Sequence, residues 1–384
     1  MPRRAANAKK DTSTPQKRRI SGWRKWLFRA LAATIGPAIC LLGLEFGLQL
    51  FGYGHSPDFF MKLESGDAYT TNPRFGYRFF PSSMAREPAP CRLPARKADN
   101  TYRIIILGGS AARGTPDWTL GFGRFLQAML QQARPDMKFE VVNAAMTAIN
   151  SHVVLPIARD AAEHDPDLFV VYMGNNEVVG PYGTAAMFGD FSPNLTLIRT
   201  GIYVNSTRTG QLIKSLFASA GADKTQWDGM QMFLDRQVAA SDPKLQDAYK
   251  HFRSNLNEIC NVAQDAETPM ILCTVATNLK DSAPFASMHR DGMTEAQLKQ
   301  WSDLVRSAQT SADDGDHDQA VETYRKAAEL DDRHAELHFR MAHSLLAALN
   351  LAASSRKSRW ALKKNERRGP NWSTSSPASR AACT

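Results

Sequence analysis

Hydrophobic and polar positions divide the chain into stretches of different period. From Leu27 to Phe51 the sequence is apolar almost throughout, with Arg29 at its start and Glu45 near its end as the charges. A helix of about 25 residues spans roughly 37 Å, enough to cross a bilayer with some tilt. Pro37 is tolerable in such a helix, and Trp23, Trp26 and Tyr53 suit the two interfaces. Glu45 lies close enough to one end for its carboxylate to reach headgroups. Residues 55–100 carry Pro57, Pro73, Pro81, Pro88, Pro90 and Pro94 with little periodicity, and they read as an extended lead-in. An α/β alternation follows. An apolar run at Tyr102–Leu107 suits a buried parallel strand, and Phe139–Asn143, Leu168–Met173 and Met270–Val275 read as three further strands. Helical spacing at Phe122–Gln132, Val153–Ala162 and Asp247–Asp265 separates them, which implies a doubly wound parallel sheet.

The period changes again at 315–332, GDHDQAVETYRKAAELDD, where Ala320, Tyr324 and Ala327 recur at helical spacing. With Trp301–Ser311 before it and Ala335–Leu349 after it, this segment resembles one and a half tetratricopeptide repeats. That is fewer than a solenoid needs, so simple helix packing is the plainer alternative. The expected organisation is a basic tail (1–25), a membrane helix (26–53), a lead-in (54–100), an α/β domain (101–300), repeat-like helices (301–350) and a basic tail (351–384), both tails being disordered.

Charge changes this picture less than its total suggests. The net +9 resides in the ends: ten Lys/Arg against Asp11 in 1–29, and eight against Glu366 in 351–384, leaving a mildly acidic body. No folded basic face is implied, which argues against nucleic-acid binding. The basic flank before the apolar run predicts a cytoplasmic amino terminus and an extracytoplasmic body. The apolar run is long for a cleaved signal peptide and no A-x-A-like site follows it, so a retained signal anchor is expected. The cysteines (Cys40, Cys91, Cys260, Cys273 and Cys383) show no CxxC or CxxH spacing, so neither a metal site nor a disulfide framework is expected.

Three short motifs each follow a strand: Gly108-Gly109-Ser110-Ala111, Asn143-Ala144-Ala145-Met146 and Gly174-Asn175-Asn176-Glu177. The carboxyl ends of parallel strands share one edge, so these loops converge on one crevice. A serine beside convergent N–H donors has the parts of acyl transfer: a hydroxyl to attack a carbonyl and donors to hold the oxyanion. A phosphate-cradling loop is the weaker alternative, since GGSAARG fits neither GxxxxGK[ST] nor GxGxxG.

The ordered motifs resemble those of the SGNH, or GDSL-like, hydrolase superfamily over roughly residues 100–280. The resemblance implies a flavodoxin-like fold, ester hydrolysis and no cofactor. It matches Ser110 to the nucleophile, with Gly109 replacing the usual acidic neighbour. It aligns Ala145 with the oxyanion-hole glycine and Asn176 with the oxyanion-hole asparagine, with Gly174 supporting that loop.

The family's fourth block, Asp-x-x-His on a last strand, is not found, which leaves the general base unknown. Asp314-x-x-His317 and Asp331-x-x-His334 match literally, but both fall in turns of the helical segment and read as chance. His152 and His164 suit solvated or capping roles, and His289 is the least implausible substitute. Similar membrane-anchored proteins interrupt the domain with repeats before its last strand, and this chain looks like one cut off there, lacking that strand. The expectation is a single-pass ester hydrolase, catalytically impaired, with an undefined ester substrate. The alternative is a non-enzymatic module that binds a protein partner through the repeat helices.

Overall fold

The computed structural model describes residues 22–186, 192–220 and 229–366. The expected tail at 1–21 and the far end of the second tail, 367–384, lie outside the described residues. The chain divides into two compact units, one within Met1–Trp227 and Asp247–Cys273, the other within Asp228–Gln246 and Thr274–Thr384. Residues 274–300, placed with the α/β domain by the sequence, thus group with the helical unit.

In chain order the first unit begins with helix α1 (Gly22–Leu50), which runs through Pro37. Its stretch Trp26–Leu50 is long and apolar enough to cross a membrane and is not buried against protein. Strands β1 (Phe60–Lys62), β2 (Ala68–Thr71) and β3 (Leu93–Pro94) form a small antiparallel sheet, where the sequence suggested only an extended lead-in. Strand β4 (Thr101–Gly108), the short helix α2 (Ser110–Arg113) and helix α3 (Phe122–Ala133) come next. They lead into β5 (Lys138–Asn143), α4 (Ser151–Ala162) and β6 (Leu168–Tyr172). Helices α5 (Leu195–Ser206), α6 (Arg208–Ala220) and α7 (Pro243–Asp265) precede strand β7 (Met270–Cys273).

Strands β4 to β7 pair in parallel in the order β5-β4-β6-β7. Successive residues of β4 point to opposite faces, which is why its apolar run is continuous. Ile105 and Leu107 join Val153, Ile157, Ala161, Ile259 and Ala263 from α4 and α7 on one side. Ile104 and Ile106 meet Ala112, Phe122 and Leu130 on the other. Helices on both faces make this a doubly wound α/β layer. The lead-in belongs to the first of these cores through Phe59, Phe75, Phe80 and Leu93. Among the described residues no fifth parallel strand follows β7, whose Ile271 and Leu272 remain half exposed.

The second unit is built from α8 (Glu295–Asp313), α9 (His317–Leu330) and α10 (Ala335–Glu366). Thr294 and Gln297 close a capping box at the start of α8, and Asp316 caps α9 by accepting from the Gln319 N–H. Small residues Ala308, Ala320 and Ala327 let the helices approach around Trp301, Tyr324 and Leu337. Helix α10 continues to Glu366 and so takes in the first part of the expected second tail.

Candidate active site

The serine loop is shaped by two glycines. Gly108 ends β4 beside Tyr172 of β6, and a Cβ there would collide with the Tyr172 carbonyl oxygen. Gly109 then caps α2, whose first residue is Ser110. A Cβ on Gly109 would lie 3.2 Å from Asn176 Nδ2, so the loops after β4 and β6 touch, and an acidic side chain at 109 would press on that amide. Asn176 Nδ2 donates to the Ile149 carbonyl at 3.0 Å. An amide carries two N–H donors, so a second remains for a ligand. Gly174 turns the chain out of β6 at φ +130°, a conformation open to glycine. Ser110, Gly109, Asn176 and Gly174 therefore gather at the carboxyl edge of the sheet.

Ala145 is placed differently from expectation. It is fully buried against Ile104, Ile106 and Ala112, and its N–H donates to Asn143 Oδ1 at 3.1 Å. That donor is already engaged within its own loop. Three residues on, Ala148 sits at φ +62°, in the left-handed region that favours glycine. It precedes Ile149, whose carbonyl receives Asn176. The glycine-like turn of this loop is at Ala148, and no residue type in the sequence marks it.

A buried polar network lies directly behind the asparagine loop, at residues that no motif marks. Glu177 accepts from the Ser151 N–H at 3.0 Å and from Ser151 Oγ at 2.8 Å, at the amino end of α4. Asn255 of α7 donates to Ser151 Oγ at 3.0 Å and lies 3.2 Å from His152 Nδ1. Burial pushes the Glu177 carboxyl up to about 7, against the lowering effect of its bonds from Ser151. Burial, with His251 and Arg199 nearby, takes His152 down to about 3. It is neither solvated nor a useful base near neutral pH. His164 is partly buried, edge-on to Phe60 and Tyr69, and 3.5 Å from Asp160.

Among the described residues no histidine is hydrogen-bonded to Ser110. His289, in the second unit, is not a free loop residue: its Nδ1 lies 2.8 Å from Asp331 Oδ2. Burial works to raise the Asp331 carboxyl, but bonds from the Arg333 N–H, His289 and the Arg290 N–H outweigh it and hold it below the usual range. The literal Asp331-x-x-His334 match is no pair, since His334 stacks on Trp301 and His289 at centroid distances of 4.6 and 4.7 Å. No group of three or more potential metal ligands occurs among the described residues. Clefts of about 440 Å³ beside His164 and about 370 Å³ beside Asn143 are lined by neither Ser110 nor Asn176.

The sequence matches no family model and no curated protein. Solved structures similar to the chain include an SGNH-hydrolase family esterase, AlinE4, at 13% identity and a TM-score of 0.22, over 46% of this chain and 77% of that one. An acetyl xylan esterase, AlAXEase, aligns at 15% identity and a TM-score of 0.22, over 44% and 76%. A lipase/acylhydrolase from Enterococcus faecalis aligns at 14% identity and a TM-score of 0.22, over 44% and 75%. The structural neighbours are thus esterases and lipases, at a level of similarity that establishes neither family nor activity for this chain.

Proposed function

We propose that the chain is a membrane-anchored ester hydrolase of the SGNH type, with Ser110 as nucleophile. The observation that supports it most is the approach of Asn176 Nδ2 to Gly109, which sets an amide donor beside the serine loop. In the reaction, Ser110 Oγ attacks the ester carbonyl carbon and gives up its proton to a base. The carbonyl oxygen takes the negative charge and is held by the second Asn176 N–H, with the Ala148 N–H as the backbone donor in place of Ala145. Collapse expels the alcohol, which takes a proton, and water then releases the acid from Ser110. Without a histidine bonded to Ser110, turnover is expected to be slow.

The alternative, a binding module without catalysis, draws on that same absence and on the helix trio of the second unit. Hydrolysis of a small chromogenic ester by the full chain separates the two. A rate above background that disappears in Ser110→Ala supports the hydrolase, and equal rates in both proteins support the binding module.

A further inference from the structure

Glu45 is an anomaly in an apolar helix, and its partners explain it. Its carboxylate accepts from the Arg208 N–H at 2.8 Å and from the Thr209 N–H and hydroxyl, each at 2.8 Å. These groups open helix α6, so a side chain of α1 caps the amino end of α6. Glu45 is thus satisfied by protein and not by lipid headgroups. It lies five residues before Leu50, the end of the apolar stretch, or about 7.5 Å along the axis. The turn between α5 and α6 is therefore held at the level of the last turns of α1. Two further contacts fasten α6 to the chain leaving α1: Tyr53 Oη to Ser215 Oγ at 2.9 Å, and Gln211 Oε1 accepting from the His55 N–H at 2.9 Å.

On either side of this polar turn, apolar side chains are exposed. Tyr203 and Val204 lie in the last turn of α5, with Tyr203 69% exposed. On α6, Thr209, Ile213 and Phe217 share one face at i, i+4 and i+8. That face begins at the residue bonded to Glu45 and ends at Phe217, 75% exposed. The stripe is tied at its start to Glu45 and near its end, through Ser215, to Tyr53, so it runs beside the stretch where the spanning helix leaves the membrane, the level of the lipid interface.

We propose that the α5–α6 hairpin rests on the bilayer beside α1, with Tyr203, Val204, Ile213 and Phe217 against lipid. This rests on the reading of α1 as a membrane span. It makes the anchor a rigid mount, which sets the α/β layer at a fixed height and tilt above the membrane. The test places a single nitroxide at Ile39→Cys, Phe217→Cys or Asp265→Cys in the full chain with its native cysteines replaced by serine. The protein is reconstituted into phosphatidylethanolamine–phosphatidylglycerol vesicles. Collisions with oxygen and with a water-soluble nickel chelate are then compared by spin resonance. Oxygen should dominate at 39 and 217, and nickel at 265. Nickel access at 217 with lipid burial at 39 would overturn the hairpin contact alone. Protection of 217 from both reagents would also overturn it, indicating a protein cover. Nickel access at 39 would remove the span itself and the proposal with it.

Discussion

At Glu177 burial and hydrogen bonding act on one carboxyl in opposite directions, and burial prevails. Its folded-state pKa of about 7 lies above the ordinary value of 4.5, so the folded protein holds the proton to higher pH than the unfolded chain. The stability it contributes is complete below that ordinary value and is lost as pH rises through about 7. Denaturant titrations of the detergent-solubilised chain should show stability falling between pH 5 and 7.5. In Glu177→Gln that part of the slope should flatten; an unchanged slope would assign the titration to another group. The residue scale also marks where sequence reasoning stops. That Ser110 and Asn176 come to one edge is legible because strand ends in a parallel sheet share it. Glu177 and Ala148 are not, because burial and a positive φ leave no trace in residue type.

At the scale of elements, the central strands β4 and β6 are legible because strands covered on both faces are predominantly apolar, and the edge strands β5 and β7 by their shorter apolar runs. The antiparallel β1–β3 are too short for a period to register, and prolines flank them. Yet Phe59 and Phe60 are tied to α4 through their N–H bonds to Asp160. Arg103 interrupts the apolar run of β4 and is buried with it. It pairs with Glu140 of β5 at 2.7 Å and donates to the carbonyls of Pro94 and His164. One side chain thereby joins the parallel sheet to the lead-in and to the end of α4. Arg103→Met leaves Glu140 and two carbonyls without their donor and should cost about 3 kcal/mol, the scale for breaking one side of a buried pair. Chemical denaturation measures it. A loss under about 1 kcal/mol would assign the joint to the surrounding apolar packing instead.

At the scale of the whole molecule, one apolar helix and a basic flank predict an amino terminus in the cytoplasm and a body outside it. Protease added to spheroplasts should remove the body and spare an epitope at the amino terminus. A protected body would reverse the orientation.

In the proposed chemistry Ser110 is a nucleophile served by the Asn176 amide. The most direct measurement is covalent labelling of the full chain by a fluorophosphonate, with the modified residue located by mass spectrometry. The account predicts slow labelling confined to Ser110 and absent in Ser110→Ala. In Asn176→Ala labelling should be slower by about 10²-fold, the scale for removing one oxyanion donor. Labelling that is absent in the native chain, or that persists unchanged in Asn176→Ala, would contradict it.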